Sequence, residues 1–173
     1  MIDPLSPGPM PAGADPANAP AATRRVLETL TRAGVAFSLK LFPQKAYTPE
    51  ELAGLCGCEV NFIVLNTVLR GKASKKPYLF MHSAATKLYE RAIGNMVGEN
   101  LQRAEPEFAQ RLTGYPVNAI PPVGHMNRTP VLIDGSLMRF PRIWCSAGVS
   151  NAMVSVPTMI LARALAARIV RIE

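Results

Sequence analysis

Short strand-like and helical segments alternate irregularly along this chain, and their order constrains the fold more than any other feature. Apolar alternation and branched residues predict strands at VAFSLKLF, VNFIVLNTVLR, YLFMHS, PVLID, RIWCSAG, AMVSV and RIVRIE. Helical patterns fall at residues 23–33, 48–57, 84–95, 106–113 and 158–167. Because these segments form neither regular βαβ units nor an internal repeat, the sequence predicts an α+β domain.

The segment TPEELAGLCG carries the clearest helix signals. Thr48 suits the N-cap, Pro49 suits the first helical position, and Glu51 completes a capping box. Gly57 follows as a stop. The next two strand-like segments flank the basic turn GKASKKP, which predicts a β-hairpin.

The first 22 residues differ in composition from the rest of the chain. They contain six prolines and almost no large apolar side chains, so they cannot bury enough surface to offset the entropy lost on ordering. We therefore expect a flexible, Pro/Ala-rich tail at residues 1–22 and one domain at residues 23–173. No stretch of 18 uncharged apolar residues predicts a membrane span, and no secretory signal is present.

The chain has a formal net charge of +7, with 19 Lys and Arg against 12 Asp and Glu. This balance favours a polyanionic partner, RNA above all, while an ordinary basic globular protein is the alternative. Lys72, Lys75 and Lys76, called the hairpin lysines below, suit either a phosphate contact or a solvated hairpin tip.

The three cysteines predict reduced thiols in a cytoplasmic protein. Cys56 and Cys58 form a C-x-C pair, and Cys145 is distant in sequence. With only two histidines in the chain, no zinc spacing is matched, so we expect no metal and no cofactor.

The loop GYPVNAIPPVGH has a composition that suits a rigid ligand contact. Pro121 and Pro122 fix their φ angles, and Gly124 permits a positive φ or a close backbone approach. Such a loop can present N–H groups to an ester carbonyl, or it can be a structural turn. His125 suits an acid–base role or a hydrogen bond that only holds the turn.

A second candidate segment is CSAGVSNAM. Its small residues, Ala147 and Gly148 among them, can form either the floor of a ligand site or a hairpin turn. No nucleophile elbow, Walker loop, dinucleotide fingerprint or H-E-x-x-H motif occurs in the chain.

Taken in order, the segments RRVLETLTRAGVAF, YTPEELAGLCGCEVNFIVLNTVLR, LTGYPVNAIPPVGH and PVLIDGSLMRFPRIWCSAGVSNAMVSV resemble the YbaK/ProX family. These are aminoacyl-tRNA editing domains, free-standing or associated with prolyl-tRNA synthetase. The resemblance extends over residues 23–173 and implies a single domain with a mixed, partly barrel-like sheet flanked by short helices. It further implies hydrolysis of the ester of a mischarged tRNA, with backbone from the glycine- and proline-containing loop in the pocket.

Several polar positions depart from the family pattern. Leu65 occupies the position where the family usually has a lysine, and Asn66 follows it. Lys87 keeps a positive charge where the family has an Asn-Arg-Val-Asp-like string, but Tyr89 replaces the acid. Asn151 stands where many members carry a histidine.

The resemblance therefore fixes no catalytic residue, and Asn66, Gly124 and Gly148 are the candidates. The expected substrate-binding set consists of Asn66, Lys87, Pro121, Pro122, Gly124, His125, Ala147, Gly148 and Asn151. Two functions remain open. One is a deacylase acting in trans on a mischarged tRNA, with tRNA-Pro as a candidate. The other is an inactive module that binds tRNA or an aminoacyl ligand, or that associates with a synthetase. Neither implies DNA or a membrane as partner.

Overall fold

Two helices of this chain begin at a proline and end just before a glycine. Helix α2, Pro49–Cys56, begins where Thr48 Oγ1 accepts a hydrogen bond from Glu51 N–H at 3.1 Å, as the capping box predicts. The Glu51 carboxylate accepts from the N–H of Tyr47, one residue before the cap. Helix α4, Pro106–Thr113, has the predicted bounds and ends at Gly114, whose φ of +86° is costly for any residue with a Cβ.

The computed structural model describes residues 13–171. The five helices of that range are α1 Ala21–Arg32, α2 Pro49–Cys56, α3 Glu90–Val97, α4 Pro106–Thr113 and α5 Thr158–Ala164. Its eight strands are β1 Ser38–Leu41, β2 Val64–Gly71, β3 Pro77–Ser83, β4 Leu101–Arg103, β5 Val131–Asp134, β6 Arg142–Ser146, β7 Ala152–Pro157 and β8 Arg168–Val170.

Two sheets form the domain. The larger has strand order β4-β2-β3-β5-β8, and the smaller has order β1-β7-β6. The predicted hairpin is β2–β3, antiparallel with Asn66 opposite Met81, whereas β5 pairs in parallel with both β3 and β8. A bridge between Ile63 and Trp144 connects the two sheets. The α+β class and the mixed sheet are confirmed, and the described strands do not close into a barrel.

The core lies on both faces of the larger sheet. The inner face, with Val68 and Met81, packs on the smaller sheet and on α1 through residues such as Leu30. On the outer face, Phe80 and Ile93 belong to a second cluster that α3 covers. Strand β2 therefore contributes side chains to both faces, alternating along its length.

Helix α3 begins later than predicted, at Glu90 rather than at residue 84. Ser83 explains the difference, because its Oγ donates to Asn61 C=O and accepts from Ala85 N–H, while its C=O accepts from Thr86 N–H. These bonds form a turn that competes with the helix. Strand β4 was not predicted, because its three residues include one apolar side chain, Leu101, and show no alternating pattern.

Helix α1 begins at Ala21, two residues before its predicted start. Ahead of it, Ala14 N–H donates to Leu39 C=O at 2.8 Å, and Ala19 is buried. Residues 1–12 of the expected tail lie outside the described residues, and the division at residue 22 stays a prediction. Between residues 13 and 171, no helix is long and apolar enough to span a membrane, and no three His, Cys, Asp or Glu side chains are grouped to hold a metal ion.

Candidate functional site

A pocket opens at the point where strand β4 separates from β2. The two strands pair from Leu69 to Gly71, and one further bond joins Ala104 N–H to Val68 C=O at 3.0 Å. Beyond Val68, β4 no longer covers this edge of β2. The space left there has a volume of about 250 Å³. Its lining residues are Leu52, Val64, Leu65, Asn66, Thr67, Val68, Arg103, Ala104, Ala109, Val117, Asn118, Ile120, Ser146 and Met153.

Asn66 is a buried polar side chain at this pocket. Its Nδ2 donates to Ile120 C=O at 3.0 Å, and since a carbonyl only accepts, this bond fixes the orientation of the amide. The other amide atom, Oδ1, is buried and has no partner among the described residues. An unpaired buried oxygen costs about 1–3 kcal/mol, so a hydrogen-bond donor that reaches Oδ1 would remove that cost.

The main chain of Asn66 also faces the open edge. Backbone groups of alternate strand residues point to the same side, and Val68 C=O points toward β4. The N–H and C=O of Asn66, two residues earlier, therefore point toward the edge that β4 leaves uncovered. Asn66 thus combines a buried amide with an outward-facing backbone donor at one position.

Arg103 carries the positive charge of the pocket. It pairs with Leu69 across the β2–β4 ladder, so its side chain lies on the outer face of the sheet, as those of Leu65 and Thr67 do. The side chain is 65% exposed, and its Nε lies 3.6 Å from Glu90 Oε1. An ion pair that exposed contributes little to stability, so the guanidinium remains available to an anion.

The proline loop reaches the pocket only at its start. Val117, Asn118 and Ile120 line the pocket, whereas Pro122, Gly124 and His125 line a separate pocket of about 440 Å³ that shares no residue with the first. Pro121 and Pro122 are buried. Imidazole Nε2 of His125 donates to Pro121 C=O at 2.6 Å, and burial lowers the pKa of His125.

Gly124 and Gly148 both pack against Tyr115. The Tyr115 hydroxyl donates to Gly124 C=O at 3.0 Å, and a Cβ on Gly124 would lie 3.0 Å from that hydroxyl oxygen. A Cβ on Gly148 would lie 3.0 Å from Tyr115 Cε1. Gly148 N–H already donates to Ser146 Oγ at 3.2 Å, and Ala147 N–H donates to Ala152 C=O at 3.1 Å. These bonds leave neither N–H available to a substrate.

The remaining expected residues lie outside the pocket lining. Lys87 is exposed in the turn before α3. Asn151 is half-buried, and its Nδ2 donates to Phe42 C=O at 3.3 Å, which ties the residue after β1 to the turn between β6 and β7. Of the expected substrate-binding set, the structure thus brings Asn66 to the pocket beside Leu65.

Sequence reasoning missed much of the pocket wall. Leu52 comes from α2, Arg103 and Ala104 from the end of β4, and Ser146 from the end of β6. Asn118 is the missed residue that the sequence could have indicated, since it is a polar residue within the loop already selected as a ligand contact.

Comparison with known proteins decides the family. The profile of the aminoacyl-tRNA editing domain matches residues 43–164, which include β2, the proline loop and the end of β6. The chain belongs to this family.

Solved structures of similar proteins have the same fold as this chain. The chain is 29% identical to a candidate trans-editing enzyme for prolyl-tRNA synthetase, with a TM-score of 0.81 over 89% of this chain and 98% of the other. A scaffold protein from a computational epitope-grafting study is 27% identical, with a TM-score of 0.80 over 90% and 98% of the two chains. A hypothetical protein at 23% identity and a TM-score of 0.79, over 84% and 96%, shares the fold.

Proposed function

We propose that this chain is a trans-acting deacylase that hydrolyses the ester between a wrong amino acid and the 3′ end of a tRNA. The observation that carries the proposal is Asn66, which lines a small pocket. Among residues 13–171, its Oδ1 has no partner and no strand covers its backbone edge. Similarity to a candidate trans-editing enzyme for prolyl-tRNA synthetase supports tRNA-Pro as the tRNA.

The size and lining of the pocket favour a small amino acid. Ligand pockets for drug-sized molecules occupy about 300–1,000 Å³, and this one holds about 250 Å³. Its walls are mainly apolar, with Val64, Val68, Ala109, Ile120 and Met153 among them. A synthetase pocket separates two amino acids that differ by one methylene by only ~1–3 kcal/mol, so a second pocket that excludes the larger one restores accuracy. We expect an alanyl, cysteinyl or seryl ester to fit.

Asn66 offers two contacts to such an ester. Its Oδ1 accepts a hydrogen bond from the α-ammonium group of the amino acid. Its main-chain N–H faces the open edge and suits the carbonyl oxygen, which becomes negative as water attacks. An ester is intrinsically reactive, so a held substrate and a placed donor supply much of the rate.

Arg103 takes over the charge that the family lysine would supply. Leu65 is apolar, but Arg103 lies on the same outer face at the mouth of the same pocket. A guanidinium at this position suits a phosphate of the tRNA end.

The hairpin lysines extend the positive surface away from the pocket. They lie at the far end of β2, and Arg70 connects them to the sheet, since its Nε donates to Lys75 C=O at 3.0 Å and its guanidinium lies 4.0 Å over the Phe108 ring. One acid, Glu99, lies within this surface and bonds to Ser74. The acceptor end of the tRNA would follow this surface from the hairpin to Arg103.

The experiment is a deacylation time course with alanyl-, cysteinyl- and seryl-tRNA-Pro, and with correctly charged prolyl-tRNA-Pro as control. We expect one mischarged ester to be lost well above its spontaneous rate and the prolyl ester to be preserved. The Asn66→Ala variant should lower kcat/KM by about 10–100-fold, which corresponds to a loss of ~1.4–2.8 kcal/mol. Asn127→Ala is the matched control, because it also removes an Asn-to-carbonyl hydrogen bond, to Leu112 C=O, but outside the pocket.

The second candidate is a module that binds the aminoacylated tRNA end without hydrolysing it. Leu65, in the position of the family lysine, favours this function. If every ester is hydrolysed only at its spontaneous rate while tRNA still binds in a salt-sensitive way, the deacylase proposal is wrong and the binding module takes its place.

A further inference from the structure

A buried histidine and a threonine form a hydrogen-bonded pair behind the pocket. His82, on β3, is only 4% exposed, and its Nε2 lies 2.9 Å from Thr67 Oγ1 on β2. The imidazole stacks on the Phe80 ring with centroids 5.2 Å apart and planes 14° from parallel. This histidine has no part in the site described above.

The partners of His82 fix where its proton lies. Nδ1 is 3.2 Å from Ser83 C=O, and because a carbonyl only accepts, Nδ1 carries the hydrogen. In the neutral ring Nε2 then has a lone pair, so the Thr67 hydroxyl donates to it. The threonine oxygen keeps its own lone pairs for another donor.

Thr67 connects this histidine to the pocket. It lines the pocket beside Asn66, and its side chain lies on the outer face of β2 together with Leu65. Leu65 is directly opposite His82 in the hairpin. The Thr67 hydroxyl therefore connects the imidazole to a residue of the pocket wall.

We propose that Thr67 and His82 form a proton relay for ester hydrolysis, an inference that rests on the proposed deacylase function. Thr67 accepts a hydrogen bond from the attacking water. As the water oxygen bonds to the ester carbon, the water proton passes to Thr67 Oγ1 and the threonine proton passes to His82 Nε2. When the bond from carbon to the ribose 3′ oxygen breaks, the proton returns along the same path to that oxygen. Thr67 is the catalytic residue, and His82 acts through it.

The surroundings keep the resting His82 ring neutral, so its Nε2 lone pair is unprotonated before the reaction. Burial lowers its pKa, so the ring is neutral at pH 7. The nearby charges act in opposite directions, because Arg103 on β4 disfavours the imidazolium and Asp134 at the end of β5 favours it, as does the Ser83 carbonyl. Glu90 pairs with Arg103 and partly offsets its charge.

The test compares Thr67→Val, which removes the hydroxyl at nearly equal volume, with Thr67→Ser, which keeps it. Deacylation of the preferred mischarged tRNA is measured from pH 5 to 8 for both variants, for His82→Gln and for the wild type, with thermal unfolding as the check on folding. Loss of a general base costs ~10²–10⁴-fold, so Thr67→Val should lose at least 10²-fold in kcat with little change in KM. Thr67→Ser should stay within about tenfold, and His82→Gln should lose the acid limb of the pH profile.

The outcomes separate the relay from the deacylase function. If the wild type is active and Thr67→Val matches it, the relay is wrong and the deacylase stands. The relay is equally wrong if the acid limb survives unchanged in His82→Gln, or if Thr67→Ser and Thr67→Val lose activity only in proportion to lost folding. If the wild type hydrolyses no ester, the proposed function fails and the relay fails with it.

Discussion

Replacing Gly148 by alanine should destabilise the protein without disabling its chemistry. Gly148 has a φ of +95°, a conformation that costs a residue with a Cβ about 1–2 kcal/mol. The new methyl carbon would also lie 3.0 Å from Tyr115 Cε1 and 3.4 Å from Ala22 C=O. Tyr115 cannot swing away freely, because its hydroxyl donates to Gly124 C=O.

The chain supplies a control that separates these two costs. Gly57 has a φ of +71°, and a Cβ there would meet nothing within 4 Å, so Gly57→Ala carries the backbone cost alone. Overpacking adds about 1–3 kcal/mol, so Gly148→Ala should lose about 2–5 kcal/mol in total. At ~2–4 °C per kcal/mol for a domain of this size, its Tm should fall by about 4–20 °C, and clearly further than that of Gly57→Ala.

The assays are thermal and denaturant unfolding, followed by deacylation at a temperature well below both Tm values. We expect kcat of Gly148→Ala within a few-fold of wild type, because Gly148 N–H is already bonded to Ser146 Oγ. Equal Tm losses in the two variants would show that Tyr115 does not confine Gly148. A large fall in kcat at unchanged stability would place the Gly148 backbone in the site and refute its structural role.

Three further outcomes follow from the same contacts. Thr48→Ala should cost about 1 kcal/mol of unfolding free energy, measured by denaturant titration, because it removes the cap of α2. Changing the hairpin lysines together to alanine should weaken tRNA binding and reduce its salt dependence, measured by filter binding between 50 and 200 mM salt; an unchanged slope would exclude the hairpin from the tRNA path. Burial lowers the pKa of His82 and of His125 from 6.5, so the unfolded chain binds more protons below that pH. Their contribution to stability is complete above pH 6.5 and is lost as the pH falls toward the folded-state pKa values. His125→Gln should therefore reduce the loss of unfolding free energy between pH 7.5 and pH 5.5.

Local signals in the sequence were sufficient wherever one residue decides a conformation. The bounds of α4 and the capping box of α2 follow from Pro106, Gly114 and Thr48, and both are confirmed. The alternating apolar pattern also gave the β2–β3 hairpin. The late start of α3 was missed, since it depends on the bonds that Ser83 makes across to Asn61.

The site was harder to predict because its walls come from distant segments. Sequence identified Gly124 as a position for positive φ, which the structure has at +81°, but could not show that Tyr115 is its neighbour. Arg103 reaches the pocket only because a three-residue strand pairs with β2 and then departs. Such short strands leave almost no periodic signal in a sequence.

The wide sequence separation within the smaller sheet has a consequence for synthesis. Strand β1 pairs with β7, Ser38 with Ser155, so β1 emerges from the ribosome more than a hundred residues before its partner. At ~5–20 residues per second, that wait is on the order of ten seconds. Met153, a wall of the pocket, lies on β7 itself. A nascent chain therefore has no complete pocket until β7 has been synthesised, and a product truncated before β7 would lack it however well its hairpin had folded.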